Sequence, residues 1–295
     1  MLKKHNIQNP QKDAEILLLH LLKKPKEFLY THPDDKISPK TETRYNAFLK
    51  RRINHEPVAY ILNKEEFYGL EFFVNRDVLI PRPETELLID QTIKILSKNT
   101  PGHVPAILDL GTGSGCLAIT LAVLLAQKQS TLKACPIFAL DLSQKALKIA
   151  RKNAKKHKVI KKIKFLQSDL LDGLLKNKVH EKALQKINNL IILANLPYVS
   201  KKEYKNLPLD IKNFEPKKAL IAGKDGLKYY KKLFPQISRL MQKNKISKLF
   251  LIIEIAPSQA QKTKNLIQKT FPKSRIEIKK DYAGLKRVVI VSIEN

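Results

Sequence analysis

The chain has 295 residues, enough for two domains at about 150 residues each. Hydrophobic residues make up 43% and charged residues 28%, a globular composition that excludes a disordered tail protein or a collagen-like repeat. Lysine and arginine number 56 against 27 acidic residues, a formal charge of +29 that bears on polyanionic partners and solubility, not on fold.

The residues from Met1 to Asn6 lack the apolar core of a secretory signal. The apolar stretch 116–126 falls short of the roughly 20 residues a membrane span needs. Cys116 and Cys135 are too few for a disulfide framework, and no Cys/His cluster has zinc spacing. A cytoplasmic protein with no metal and no membrane contact is expected. The lysines are scattered in pairs such as Lys161-Lys162 and Lys231-Lys232, which reads as solvated faces. A basic surface for the ribosome or RNA is the less favoured reading.

In chain order, residues 13–22 form a compact apolar helix, and a turn marked by Pro33 follows. Ser38 is a cap candidate and Pro39 fits the first turn of a second helix, to about Ile53. A helical domain over 1–54 is expected. Residues 58–61 and 66–74 are rich in aromatic and β-branched side chains and predict strands, with Gly69 at a turn. They suggest a β-hairpin linker over 55–80. Pro81 and Pro83 keep Ile80 and Arg82 extended, and a helix follows with Leu88, Thr92 and Leu96 on one stripe.

From residue 106 the pattern alternates. Strand-like runs fall at 106–110, 136–140, 163–166, 190–194 and 249–255, with helical patterns between most of them. That predicts an α/β domain over 81–295 with a mostly parallel sheet. Runs 275–278 and 287–293, joined through Asp281 and Gly284, predict an antiparallel hairpin at the sheet edge.

Gly111-Thr112-Gly113-Ser114-Gly115 closes the first of these strands and opens an apolar helix. Such a loop lets backbone approach a ligand closely and leaves helix N–H groups free. Alone it fits nicotinamide, flavin or S-adenosyl-L-methionine (SAM) sites, or only a tight turn. Asp141 ends the second strand, where a carboxylate can bind a ribose diol, although it lies further along than the usual ~20 residues. The loop 127–134 could absorb the excess. Ser143 is placed to cap the next helix, which frees Asp141 for ligand. Asp169 ends the third strand, where an acid can accept from an adenine amino group and the next side chain, Leu170, can cover the ring.

The fourth strand ends Asn195-Leu196-Pro197-Tyr198. Methylating a planar, conjugated nitrogen requires two acceptors for its N–H groups and aim at an activated methyl. Asn195 Oδ1 and the Leu196 carbonyl can be those acceptors, and Tyr198 can stack on the flat group. Read alone, the stretch is a strand end with Asn and Pro as turn formers. Its place after a glycine loop and an acidic second strand favours the chemical reading.

This stretch resembles the Asn-Pro-Pro-Tyr motif of SAM-dependent methyltransferases that act on planar amino groups. Segments 13–18, 56–61, 79–86, 109–115, 215–227, Glu254-Ile255 with Gln259, and 281–289 resemble the release factor glutamine methyltransferases (the PrmC/HemK family). The resemblance implies a Rossmann-like class I methyltransferase sheet with a small N-terminal helical domain that helps grip a peptide chain release factor. It implies methyl transfer from SAM to the N5 amide of the glutamine in the release factor Gly-Gly-Gln loop, giving S-adenosyl-L-homocysteine. By motif match, Gly111, Thr112, Gly113, Ser114 and Gly115 would line SAM, with Asp141 on the ribose and Asp169 and Leu170 at the adenine. Asn195, Leu196, Pro197 and Tyr198 would clamp the glutamine, with Asn195 also beside SAM. Leu196 stands where the family has its first proline, and Leu170 where it often has an aromatic residue.

Arg82 and Glu84 fit either ordering of the active-site edge or locking of the linker. A monomer is expected. The competing reading is a nucleic-acid methyltransferase acting on adenine N6 or guanine N2, which +29 would suit, but residues 200–225 are short for a target-recognition region. A non-catalytic binding module on the same fold ranks lower, since the glycine loop, Asp141 and Asn195 are all present.

Overall fold

Serine and proline set the N-terminal helices. In a computed structural model that describes residues 1–98, 104–127, 135–176 and 187–294, the helices Pro10–Leu22 and Pro39–Ile53 each start on a proline. Ser38 Oγ accepts from the Thr41 N–H at 3.2 Å, a cap worth about 1 kcal/mol. Leu17 and Leu49 meet Leu2, Ile7 and Ile61 in a small core of their own.

Residues 58–61 depart from the strand expected there. Val58–Leu62 is a short helix that follows Pro57 and stops at Asn63, whose φ of 53° is left-handed. Tertiary burial overrides the β-branched composition. The helix places Ile61 in the N-terminal core and Tyr60 in a second cluster with Val74, Val78 and Ile80. The Tyr60 hydroxyl donates to the Val78 carbonyl at 2.6 Å.

The expected hairpin follows as β1 (Lys64–Phe67) and β2 (Leu70–Phe73), paired with Phe67 opposite Leu70. Tyr68 and Gly69 both have positive φ, as a tight two-residue hairpin turn requires. Phe67 and Phe72 are fully buried against Leu88, Leu117 and Leu121, so the hairpin is anchored in the core of the larger unit.

That unit is a seven-stranded sheet in the order β5-β4-β3-β6-β7-β9-β8. Its strands are β3 (Ala106–Leu110), β4 (Ile137–Asp141), β5 (Ile163–Gln167), β6 (Asn189–Ala194), β7 (Lys248–Glu254), β8 (Arg275–Lys280) and β9 (Lys286–Glu294). Neighbours from β5 to β7 pair in parallel, and β9 pairs antiparallel with both β7 and β8, as expected of the terminal hairpin. Alternate residues feed opposite faces. Leu108, Leu110, Ile192 and Leu251 meet the helix Lys228–Asn244, while Ile107, Ile191, Leu193 and Ile252 meet the helices Glu86–Ser97 and Cys116–Gln127. Burial on both sides explains why these strands read as continuous apolar runs.

The strand order reverses between β3 and β6, and Leu110 pairs with both Leu140 and Ala194. The ends of β3, β4 and β6 therefore lie level, at the edge where parallel α/β sheets bind ligands. The buried Arg52 ties the N-terminal helices to this edge. It donates at 2.7 Å to Asp13 and at 2.7 Å to Asp210, on the helix Leu209–Phe214 that follows the β6 loop. Most of the loop 127–134 lies outside the described residues.

Candidate active site

Above the strand ends lies a cavity of about 430 Å³. Gly111, Gly113, Asp141, Ser168, Asp169 and Leu170 line one part, Asn195, Leu196 and Pro197 another, and Arg76 to Leu79 with Pro216 to Ala219 its rim. The volume falls in the range of about 300–1,000 Å³ typical of cofactor sites.

The glycine loop is braced from below. Buried Asp109 accepts from the Thr112 hydroxyl at 2.6 Å and the Ala118 N–H at 3.2 Å through Oδ2, while Oδ1 has no protein partner. Burial pushes its pKa up to about 7, against those hydrogen bonds. Gly111 has φ +72°, and a side chain there would meet Leu196 Cδ2 at 3.2 Å, so glycine lets the first loop lie against the β6 loop. A Cβ at Gly115 would sit 2.7 Å from Ile119 Cδ1 and 3.1 Å from Ala150 Cβ, which makes this glycine a packing residue between helices. Thr112, Ser114 and Gly115 do not line the cavity, and Thr112 and Ser114 are buried beneath it.

Asp141 projects from the end of β4. Its Oδ2 accepts from the Gly113 N–H at 2.9 Å and its Oδ1 from the Ser143 N–H at 2.8 Å. Each oxygen keeps a lone pair, which is what two vicinal hydroxyls need. Ser143 itself caps the helix Gln144–Lys156 by accepting from Ala146 N–H, so that cap does not consume Asp141. Burial raises the Asp141 pKa, opposed by the backbone N–H groups of Ser143, Gly113 and Leu142.

Asp169 is partly exposed and ion-paired with Lys232. Leu170 is buried at φ +55°, unusual for a branched side chain. The Ser168 hydroxyl donates to its carbonyl at 2.6 Å and the next N–H donates to Gln236 Oε1 at 3.0 Å, which holds the strained turn at the cavity wall.

At the end of β6, Asn195 lines the cavity and its Nδ2 donates to Thr85 Oγ1 at 2.9 Å. The Thr85 hydroxyl donates to Glu254 Oε2 at 2.6 Å. The Tyr198 hydroxyl donates to the other oxygen, Oε1, at 3.1 Å. Tyr198 does not line the cavity; burial, with the Glu254 carboxylate beside it, raises its pKa. Gln259 Nε2 donates to the Tyr198 carbonyl at 2.7 Å, and Gly226 (φ +75°) leaves room for that contact. Leu196 is buried in the core cluster that holds Tyr230, so its side chain anchors the loop. Arg82 is ion-paired with buried Glu215, which also accepts from Ile80 N–H at 3.2 Å, so this arginine locks the extended 79–83 segment to the rim.

The arrangement thus brings Gly111 and Gly113, the Asp141 carboxylate, and Asn195 with Leu196 and Pro197 to one cavity. Thr85, Glu254, Gln259 and Gly226 are the supports not assigned a part in the site from sequence. Thr85 and Glu254 stand 169 positions apart, and no local spacing connects them.

Comparison with known proteins gives the family. Residues 1–62 match the PrmC N-terminal domain family and residues 105–268 a methyltransferase domain family. A release factor glutamine methyltransferase of Dictyoglomus turgidum is 35% identical over 290 residues, covering 98% of this chain and 94% of the relative. That of Bacillus subtilis is 35% identical over 281 residues, covering 95% and 90%. That of Bacillus anthracis is 31% identical over 281 residues, covering 95% and 92%. Among solved structures, the human Mettl16 catalytic domain in complex with a MAT2A 3′UTR hairpin shares the fold at TM-score 0.55 and 16% identity, covering 94% and 90%. The N-terminal domain of human METTL16 in complex with S-adenosyl-L-homocysteine does so at TM-score 0.50 and 14% identity, covering 98% and 99%. With SAM as its cofactor and a Rossmann-like sheet to hold it, the chain is an N-methyltransferase and belongs to the release factor glutamine methyltransferase family.

Proposed function

We propose that the protein methylates the N5 amide of the glutamine in the Gly-Gly-Gln loop of a peptide chain release factor. The observation that carries this reading is the clamp at the end of β6, in the same cavity as Gly111, Gly113 and Asp141. When bound, SAM supplies a sulfonium methyl, an electrophile whose bonding electron pair stays on sulfur as S-adenosyl-L-homocysteine leaves.

The chain's own residues hold and aim. Asp141 receives the two ribose hydroxyls, Asp169 the adenine amino group, and Leu170 covers the ring. Gly111 to Gly115 form the cradle, with Gly111 and Gly113 at the ligand and Thr112, Ser114 and Gly115 shaping the backbone. Asn195 Oδ1 and the Leu196 carbonyl accept the two N–H groups of the substrate amide, so its nitrogen faces the methyl in line. Pro197 stiffens the loop, and Tyr198, which lies behind the cavity wall and donates to Glu254, braces the loop from outside and does not cover the amide as its motif position implied. As the new N–C bond forms, one of the held protons becomes acidic and leaves to solvent; no base has to act first.

Residues 1–54 are read as the grip on the release factor, 55–80 as the bridge and 81–295 as the transferase domain. The ion pair of buried Arg52 with partly exposed Asp210 supports a fixed relation between grip and site.

The test is to incubate the protein and labelled SAM with a release factor or with duplex DNA. Label on the release factor glutamine supports the reading. Label on the DNA would replace it with amino-group methylation of nucleic acid.

A further inference from the structure

Asn195 can act as an acceptor only if its amide is turned the right way round. Its oxygen and nitrogen are nearly the same size, so packing alone does not choose between them. Hydrogen-bond polarity does. Glu254 ends β7 fully buried, and as a carboxylate it has no proton to give. The Thr85 hydroxyl must therefore donate to it, at 2.6 Å. The lone pairs of Thr85 then face Asn195, and only the Asn195 NH2 can meet them, at 2.9 Å. Oδ1 is left for the cavity that Asn195 lines. Turned the other way, Asn195 would present N–H groups to the N–H groups of a substrate amide.

We propose that Thr85 and Glu254 are positioning residues for methyl transfer: the buried carboxylate fixes the direction of the Thr85 hydroxyl, and Thr85 fixes the amide of Asn195. This rests on the role given to Asn195 above. The other oxygen of the same carboxylate accepts from Tyr198, so both side chains at the ends of the clamp hang on one anion.

The relay has a pH signature. A protonated Glu254 can donate to Thr85, which can then donate to Oδ1 and reverse the amide. Burial raises the Glu254 pKa, opposed by the Thr85 and Tyr198 hydroxyls and by Arg287 on β9, while Glu84 beside Thr85 raises it further. The Tyr230 hydroxyl, from the helix Lys228–Asn244, donates to the Glu254 carbonyl, and Cys116 feels the same charge from the other face. The ionised form orients Asn195, so kcat falls as pH drops through the raised value.

The experiment compares wild type, Thr85→Val and Thr85→Ser at saturating SAM across pH. Thr85→Val should lose about 10- to 100-fold in kcat, with KM for the release factor and SAM affinity within about threefold. Its acidic limb in kcat should flatten. Thr85→Ser should recover most of the rate and the limb. Wild-type kcat with an unchanged limb in Thr85→Val would overturn the proposal. So would equal losses of kcat and SAM affinity in both variants, the mark of a merely structural role. A second readout needs no methyl acceptor. The Asn195 side-chain NH2 resonance should exchange slowly with solvent, follow a carboxylate titration, and lose both traits in Thr85→Val. Should the wild type label DNA instead of a release factor, the substrate reading fails while this resonance still decides the relay.

Discussion

Asn195 and Asp141 make different demands on the same cavity, and substitutions should separate them. Asn195→Ala removes an acceptor from the clamp but leaves the cradle, so turnover should fall by about 100-fold or more while SAM affinity by calorimetry stays within about threefold. On the proposed reading, Asp141→Ala removes the carboxylate that receives the ribose hydroxyls, and SAM affinity should fall by about 10- to 100-fold. The sign of the pH effect follows from burial. Since the Asp141 pKa is raised, its carboxylate is ionised only above that value. Affinity for SAM should be full above that raised value and decline as pH falls through it, a decline absent from Asp141→Ala.

At the scale of elements, the loop after β6 is held in place by segments remote in sequence. Thr85 precedes the helix Glu86–Ser97, Glu254 ends β7, and Gln259 lies in the turn beyond it. Gly226 sits where a Cβ would come within 2.0 Å of Gln259 Nε2 and 2.3 Å of the Tyr198 carbonyl. Gly226→Ala should cost about 1–3 kcal/mol of stability and reduce turnover more than SAM affinity, readable by thermal unfolding and steady-state kinetics. These supports also mark the limit of the sequence as a guide. The glycine loop, Asp141 and Asn195 were legible because each sits at the end of an apolar strand, a position that local patterning locates. Thr85 and Asn195 are 110 positions apart, and their contact exists only once β6 and the 79–86 segment meet. Residues 58–61 misled for the converse reason: β-branched and aromatic side chains there serve two separate cores, which a short helix reaches and a strand would not.

As a whole molecule the chain is strongly basic, with a formal charge of +29. The rim of the cavity carries Arg76, Lys217 and Lys218 against Asp77. No described helix is long and apolar enough to cross a membrane. Buried Arg52, between Asp13 and Asp210, is one tie between the N-terminal helices and the larger unit. Arg52→Ala should lower stability by about 1.5–3 kcal/mol in thermal unfolding and raise KM for the release factor while leaving SAM affinity near the wild-type value. If SAM affinity fell with it, the N-terminal helices would be supporting the cradle and not the grip. The central claim, that one cavity brings an activated methyl to a clamped amide, is tested most directly by mass spectrometry of the release factor after incubation with SAM. The peptide holding Gly-Gly-Gln should gain the mass of one methylene on its glutamine with wild type and remain unchanged with Asn195→Ala. Modification at another residue, or equal modification by Asn195→Ala, would contradict the account.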